Sequence, residues 1–259
     1  MNKIRDAFSA GKAFIPFITG GDPDLETTEK LLYALYEAGA DIIEIGIPFS
    51  DPIAEGPVIE AASGRALGAG CTVEKLFDLV SRVRADIKAP LLFMTYYNPI
   101  FAYGVSRFTE HCAVCGIDGL IVPDLPFEER DELLEPCASS GLELISLIAP
   151  TTDTRIADIA KNSGGFLYCV SSLGVTGERR MLDDSAERMI DRARRAADIP
   201  CAVGFGISTP EQARKIAGFA DGVIIGSAIV RIAAEHGRAC VEPVCRFAKD
   251  VKQAISLEK

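Results

Sequence analysis

The chain has 259 residues, of which 48% are hydrophobic and 25% charged, so it can bury a substantial core and is not a disordered protein. Its formal net charge is −10, whereas proteins that bind nucleic acid or anionic membranes normally carry a basic surplus. The sequence therefore disfavours a polyanionic partner. A small phosphate stays open, because a few backbone N–H groups can hold it whatever the overall charge.

Local sequence disfavours two further classes of protein. The longest uncharged run, 89–106, is broken by Asn98 and Pro99, so we expect no membrane span. The first residues lack an apolar stretch, which predicts no secretory signal and a cytoplasmic protein. In that reducing compartment the eight cysteines are expected to be small core residues. Residues 111–115, HCAVC, look like half of a zinc site, but no second cluster completes it, so we expect no metal.

The predicted elements alternate between short β-type runs and amphipathic helical stretches along the chain. Eight strands are predicted, at 13–19, 41–47, 90–96, 117–122, 143–148, 166–170, 200–204 and 221–225. Their starts lie at least 21 residues apart, which leaves room for helical crossovers. We therefore expect an α/β fold, a single (β/α)8 TIM barrel domain over 1–259, with an extra N-terminal helix and long loops after strands 2 and 6. A doubly wound open sheet is the alternative.

Strand 2 places one acidic residue among branched apolar ones. Alternation puts Ile43, Ile45 and Ile47 on one face and Glu44 on the other. The isoleucines suit the outer helices, so Glu44 is expected to point into the barrel, with Gly46 leaving space above it. Burial raises the pKa of a carboxyl group, which suits it to acid–base catalysis near neutral pH. A structural ion pair is the alternative interpretation.

The loop after strand 2 is stiff and acidic. It contains three prolines, which pre-set the backbone, and two further acids, Asp51 and Glu55. We expect Glu55 to act on a substrate and Asp51 on a partner. Solvated loop charges are the alternative for both residues.

Glycine-rich turns follow three late strands: GVTG at 174–177, GFGIS at 204–208, and GSA at 226–228, which opens a helix. Glycine lets the backbone approach a ligand closely, and N–H groups at a helix N-terminus attract anions. Gly206, Gly226 and Ser227 are therefore predicted to form a phosphate cup after strands 7 and 8, where barrels of this type bind phosphate. This predicted cup contains no lysine or arginine.

Four aromatic residues lie at or just past the ends of predicted strands. They are Phe17, Tyr96, Tyr168 and Phe205. Because the carboxyl ends of all barrel strands meet at one face, we expect them to line a pocket for a flat apolar group. Core packing would explain any one of them alone.

The absence of certain residues and motifs argues against several kinds of enzyme mechanism. No lysine lies within a predicted strand or at its carboxyl end, which argues against a Schiff-base enzyme. No GxGxxG motif follows strand 1 and the chain has no P-loop, so we expect no nucleotide cofactor. The residues predict an enzyme that uses carboxylates without a cofactor.

The segment IEIGIPFSDPIAEGP at 43–57 resembles the tryptophan synthase alpha subunit family. The resemblance begins at PFIT, 16–19, includes VPDLP, 122–126, and extends to GVTG, GFGIS and GSAIV in the three late turns, so it runs nearly end to end. It implies a lyase of tryptophan biosynthesis that cleaves indole-3-glycerol phosphate to indole and glyceraldehyde 3-phosphate. The step is a retro-aldol reaction without a cofactor.

The resemblance also implies roles for individual residues. Glu44 matches the acid–base residue that protonates indole C3, and Glu55 matches the second carboxylate, which accepts a hydrogen bond from the indole N–H. Many family members have Asp at that second position, so Glu55 keeps the charge and adds a methylene. Thr176, with Gly177 beside it, matches the loop threonine that closes over the site, and closure would exclude water.

Members of the family work with a beta subunit that carries pyridoxal phosphate, in an α2β2 tetramer. Pro48, Phe49 and Asp51 match the segment that meets this subunit. Two alternatives stay open. One is another phosphate-binding barrel enzyme, such as indole-3-glycerol phosphate synthase or a sugar-phosphate isomerase, which the missing strand-end lysine disfavours. The other is a catalytically weak barrel that activates a beta subunit, and Glu55 is the feature that favours it.

Overall fold

The strands follow the predicted order and positions. The structure is a computed structural model that describes residues 3–170, 179–204 and 206–257. Within these residues eight parallel strands close into one barrel in sequence order. They are β1 Ala13–Thr19, β2 Ile43–Gly46, β3 Leu91–Met94, β4 Gly119–Ile121, β5 Glu143–Ile148, β6 Leu167–Val170, β7 Cys201–Gly204 and β8 Gly222–Ile225. The closed order confirms the (β/α)8 barrel and excludes the open sheet.

Helices surround the barrel, and caps fix where several of them begin. The described part of the chain contains α1 Lys3–Asp6, α2 Leu25–Glu37, α3 Pro57–Gly68, α4 Val73–Val83, α5 Tyr97–Tyr103, α6 Val105–Cys115, α7 Asp131–Ser139, α8 Ile156–Lys161, α9 Arg179–Ala196, α10 Pro210–Ala217, α11 Ser227–His236 and α12 Val241–Ser256. The side chains of Asp24, Thr72 and Thr209 accept hydrogen bonds from the first turns of α2, α4 and α10. None of the described helices is long and apolar enough to cross a membrane.

The alternation in β2 directs one face outward and the other into the barrel. Ile43 and Ile45 pack in the apolar layer between the barrel and its helices, whereas Ile42 belongs to the cluster inside the barrel. Glu44 lies beside Leu92 of β3, which is also in the inner cluster. The sequence pattern thus brings one carboxyl group into the barrel interior.

The predicted N-terminal helix closes the amino end of the barrel. Ile4 of α1 is 1% exposed and packs in the inner cluster with Ala13 and Ile15 at the start of β1. A Cβ on Gly119, where β4 begins, would lie 3.1 Å from Ile4 Cδ1, so the helix approaches the strand backbone closely. With this end filled, the open end of the barrel is the one at the carboxyl ends of the strands.

The loop after β2 is long, as predicted, and spans residues 47–56 before α3 begins. It folds over the carboxyl face, because Ala54, Glu55 and Gly56 line both cavities there. Residues 171–178, between β6 and α9, lie outside the described residues, and so does most of the second long loop.

Candidate active site

Glu44 is buried at the carboxyl end of β2 without a hydrogen-bond partner. Its side chain is 0% exposed, and neither Oε1 nor Oε2 has a partner within the described structure. Burial in this uncharged surrounding raises the pKa of the carboxyl group well above its ordinary value. This raised pKa favours the protonated form of the Glu44 carboxyl group, which can donate a proton. A structural ion pair does not account for it, since the described residues supply no cation to its oxygens.

Two aromatic rings lie beside Glu44 at the barrel mouth. Phe17 is its neighbour in the strand register, and a Cβ on Gly46 would come within 2.6 Å of Phe17 Cζ. A Cβ on Gly204 would likewise lie 2.7 Å from the Tyr168 hydroxyl. Burial, and then the charge of Glu44, raises the pKa of Tyr168 well above its usual value, so the two groups are close. The space that Gly46 was expected to leave above Glu44 is occupied by the Phe17 ring.

Glu55 lies half-buried in the loop after β2. Its Oε2 atom is buried and has no partner within the described residues. Burial, with a smaller effect from the charge of Glu60, raises the pKa of Glu55 to about 7. Near neutral pH this carboxyl group is partly ionised, and its ionised form can accept a hydrogen bond. Glu55 is thus not a solvated loop charge.

Tyr96 supports the loop and lies beneath it. The Tyr96 hydroxyl accepts a hydrogen bond of 2.9 Å from the Ala54 N–H, and its ring packs on Phe49 with centroids 5.4 Å apart. The side chain is 2% exposed and is not among the described lining residues of either cavity at the mouth. Tyr96 therefore positions the residue next to Glu55, which differs from the pocket role expected from its place at a strand end.

Two cavities meet at the barrel mouth. The larger, about 650 Å³, extends over the ends of β4 and β5. The smaller, about 260 Å³, extends to the ends of β7 and β8. Both are lined by Ala54, Glu55, Gly56, Met94 and Tyr168. A flat apolar group at their junction would contact Met94 and Tyr168 beside the Glu55 carboxyl group.

The predicted phosphate cup forms one end of the smaller cavity. Gly206, Gly226 and Ser227 all line it. Gly206 has a φ of 76°, which L side chains rarely adopt. Gly226 is the N-cap of α11 and contributes no side-chain cap, so the N–H groups of the first turn face the cavity end without a capping partner. Such a site can hold an anion.

The sequence reasoning missed several lining residues of the smaller cavity, among them Ile59, Met94 and Arg231. Met94 ends β3, so the strand-end rule that selected the aromatic residues would have found it had it not been limited to aromatic side chains. Ile59 and Arg231 lie within helices α3 and α11, where no local pattern marks a residue that reaches the mouth. Arg231 also corrects the expectation that this end of the barrel lacks a basic side chain.

Three predicted substrate-binding residues, Thr176, Gly177 and Phe205, lie outside the described residues. Their proposed roles stay predictions. Of the six remaining members of the set, five converge on the smaller cavity: Phe17, Tyr168, Gly206, Gly226 and Ser227. Tyr96 does not line it.

The predicted partner segment is only partly accessible. Pro48 is buried and Phe49 half-buried, whereas Asp51 is exposed and accepts a hydrogen bond of 2.5 Å from the Ser50 hydroxyl. Two large apolar residues stand out on the same face of the barrel: Ile53 in this loop is 81% exposed and Phe101 in α5 is 67% exposed. The sequence analysis did not single out either residue, because neither breaks its local pattern.

The cysteines lie in the core and not in a metal site. Across the described residues, no group of three or more His, Cys, Asp or Glu side chains could hold a metal ion. All eight cysteines are free thiols. Cys112 and Cys115 are buried in α6, and burial raises the pKa of the Cys115 thiol to about 11. The HCAVC stretch is therefore a packed helix with unreactive thiols.

Fold and site together define a class of protein: a (β/α)8 barrel with a buried glutamate and an open cavity, lined by glycine turns, on the carboxyl face of its strands, an arrangement typical of barrel enzymes. The family model described as tryptophan synthase alpha chain matches residues 5–256. The chain belongs to the tryptophan synthase alpha chain family.

Individual relatives agree over their full length. The tryptophan synthase alpha chain of Lacticaseibacillus casei is 45% identical over 259 residues, covering 100% of this chain and 97% of the relative. The crystal structure of tryptophan synthase subunit alpha from Legionella pneumophila has a TM-score of 0.89 and 36% identity, with 99% of both chains covered. A chain of tryptophan synthase from M. tuberculosis in its aminoacrylate-bound form has a TM-score of 0.88 and 31% identity, covering 98% of this chain and 100% of that chain.

Proposed function

We propose that the protein is the alpha subunit of tryptophan synthase and cleaves indole-3-glycerol phosphate to indole and D-glyceraldehyde 3-phosphate. The observation that carries this proposal is the fully buried Glu44 carboxyl group, which has no hydrogen-bond partner among the described residues and lies next to Phe17, a lining residue of the cavity that contains Glu55. Family membership supplies the substrate, and the acidity of these two groups supplies the means of cleaving it.

Glu44 acts first as an acid. Its raised pKa keeps a proton on the carboxyl group at neutral pH, and this proton passes to indole C3. Protonation at C3 places positive charge on the indole ring, mainly at its nitrogen. The side chain has no exposed surface, so a local rearrangement would bring it into contact with the substrate.

Glu55 stabilises the positive charge that this step creates. Its ionised carboxylate accepts a hydrogen bond from the indole N–H, which strengthens as the ring becomes cationic. The Tyr96 hydroxyl holds the neighbouring Ala54 N–H and so fixes the loop from which Glu55 projects. The additional methylene of Glu, compared with Asp, moves the carboxylate by roughly 1–1.5 Å relative to the backbone.

The carbon–carbon bond then breaks with Glu44 acting as a base. The Glu44 carboxylate takes the proton of the carbinol hydroxyl, and the bond from indole C3 to the carbinol carbon returns its electron pair to the ring. The products are neutral indole and an aldehyde, glyceraldehyde 3-phosphate. Glu44 ends with the proton it began with, so the proposed reaction balances without a cofactor.

The lining of the smaller cavity suits both ends of this substrate. The indole ring would lie between Phe17, Met94 and Tyr168 with its N–H toward Glu55. The phosphate would lie at Gly206, Gly226 and Ser227, with Thr176 and Gly177 closing over the site.

Indole leaves for a beta subunit, which we propose carries the pyridoxal phosphate of an α2β2 tetramer. The side chains of Asp51, Ile53 and Phe101 are exposed and would provide polar and apolar contacts for that subunit, and Ile53 also lines the larger cavity. We assign the protein to the cytoplasm, which eight free thiols support, since a reducing compartment keeps cysteines unpaired.

The test is to incubate the purified chain with indole-3-glycerol phosphate, alone and with a beta subunit, and to follow indole. We expect indole in both cases and faster release in the complex. If no indole forms in either case while beta-subunit activity still rises, the lyase assignment is wrong and the barrel is a regulatory partner.

A further inference from the structure

One basic side chain lines the smaller cavity. Among the described residues around this 260 Å³ space, Arg231 is the single cation and Glu55 the single anion. We infer that Arg231 recognises the phosphate dianion of the substrate, adding charge to a site otherwise built from backbone N–H groups. This inference rests on the proposed function and extends it to a residue outside the glycine turns.

The helix geometry directs Arg231 toward the anion-binding end. Arg231 lies four residues after Ser227, one turn into α11, and residues so spaced share a helix face. Because Cα–Cβ bonds in a helix tilt toward its N-terminus, the long side chain extends back along the first turn. This agrees with its place in the cavity lining with Gly226 and Ser227.

The guanidinium group is free to bind a ligand. Arg65, Arg82, Arg194 and Arg238 each form an ion pair with a carboxylate. The Arg231 side chain has no hydrogen bond or ion pair with any of the described residues, and it is exposed. An arginine held by a carboxylate would have little remaining charge to offer a phosphate, whereas this one keeps all five N–H donors.

The position of Arg231 also makes the charge distribution in the smaller cavity asymmetric. Glu55 follows β2 and Arg231 follows β8, so the two opposite charges lie on either side of β1. A substrate with a dianion at one end and an N–H donor at the other is attracted in one orientation and repelled in the reverse one. In a chain with a net charge of −10, a local cation also offsets the general repulsion of an incoming dianion.

The inference predicts that the positive charge at position 231 affects substrate binding, measured as KM, and leaves the chemical step, measured as kcat, nearly unchanged. In Arg231→Gln we expect the KM for indole-3-glycerol phosphate to rise about tenfold at low ionic strength, with kcat within about twofold. Arg231→Lys should retain most of the affinity. The difference between wild type and Arg231→Gln should shrink as salt is added, because an exposed charge is screened.

Lys249→Gln is the matched control, since it removes the same charge from an exposed position in α12 that is not in the cavity lining. It should leave KM unchanged. Equal effects of the two substitutions, or no effect of Arg231→Gln, would overturn the inference.

A binding measurement separates this inference from the proposed lyase activity. Calorimetric titration of the full chain with glycerol 3-phosphate needs no turnover. Weaker binding in Arg231→Gln supports the inference even if wild type releases no indole, in which case the proposed function alone fails. If wild type releases indole and Arg231→Gln binds glycerol 3-phosphate as tightly as wild type does, the inference alone is overturned.

Discussion

The two sides of the barrel mouth are built on different principles. Around β2 the functional groups are acidic side chains, Glu44 and Glu55, whose buried oxygens lack partners among the described residues. Around β7 and β8 they are backbone N–H groups at glycine turns, with Arg231 beside them. On the β2 side the carboxyl groups are buried away from water. On the β7–β8 side backbone N–H donors are available to a ligand.

This difference has an energetic consequence. A buried polar group without a hydrogen bond costs about 1–3 kcal/mol, so the β2 side retains an unfavourable arrangement, which is typical of functional sites. The β7–β8 side costs less, because Gly226 is only half-buried and Ser227 is exposed. Substitutions on the β2 side should therefore change kcat, and those on the β7–β8 side should change KM.

The largest effect is expected at Glu44. Glu44→Gln keeps the size of the side chain and removes the transferable proton, so kcat for indole formation should fall about 1,000-fold. Binding of a substrate analogue without the carbinol hydroxyl should stay close to that of wild type. Near-normal turnover in this variant would contradict the proposed difference between the two sides of the barrel mouth.

A smaller loss is expected at Glu55. Glu55→Gln removes the negative charge that faces the indole N–H, so kcat should fall at least about 100-fold. Glu55→Asp is the matched control, because it keeps the charge on a shorter side chain; it should retain kcat within about tenfold. Stopped-flow detection of indole distinguishes the variants. Equal rates for Gln and Glu at this position would contradict the hydrogen-bond role.

A substitution at Gly206 tests the β7–β8 side, where the phosphate is proposed to bind. Gly206→Ala strains a residue with φ of 76° and shifts its N–H, so KM should rise about tenfold with kcat nearly unchanged. Gly141→Ala is the control, since Gly141 has φ of 72°, equally open surroundings and no place at the mouth. Each substitution should destabilise the fold by about 1 kcal/mol in urea titrations. A KM effect in both variants would mean that strain alone is responsible.

The smallest effect concerns pH. Glu55 must be ionised to accept the indole N–H, so kcat should rise with pH through about 7, its raised pKa. The charge of Glu60 contributes to that rise in pKa, so Glu60→Gln should lower the pKa and move the acidic limb of the pH profile to lower pH. A limb that stays in place or moves to higher pH would show that Glu60 has no such influence on Glu55.

The features fixed by a repeating pattern could be predicted from the sequence. Alternation in β2 was enough to place Glu44 inside the barrel, and the glycine turns were enough to place Gly206 and Gly226 at one end of a cavity. These predictions succeed because strand period and backbone conformation are local properties. The roles of Glu44 and Glu55 in catalysis stay predictions until they are measured.

Features that depend on the path of a loop or the reach of a side chain could not be predicted. Tyr96 supports the Ala54 N–H because the loop after β2 folds back across its ring. Phe17 fills the space above Gly46 because its ring leans across to the neighbouring strand. Arg231 reaches the mouth along a full helical turn. In each case the decisive contact joins residues that no short sequence window contains.

The central claim is that Glu44 carries a proton at neutral pH, and infrared difference spectroscopy tests it most directly. Subtracting the spectrum of Glu44→Gln from that of wild type isolates the stretching band of this one carboxyl group. The raised pKa predicts a protonated carboxylic acid band at pH 7, where an ordinary glutamate is ionised. A difference spectrum that shows an ionised carboxylate at pH 7 would contradict the account.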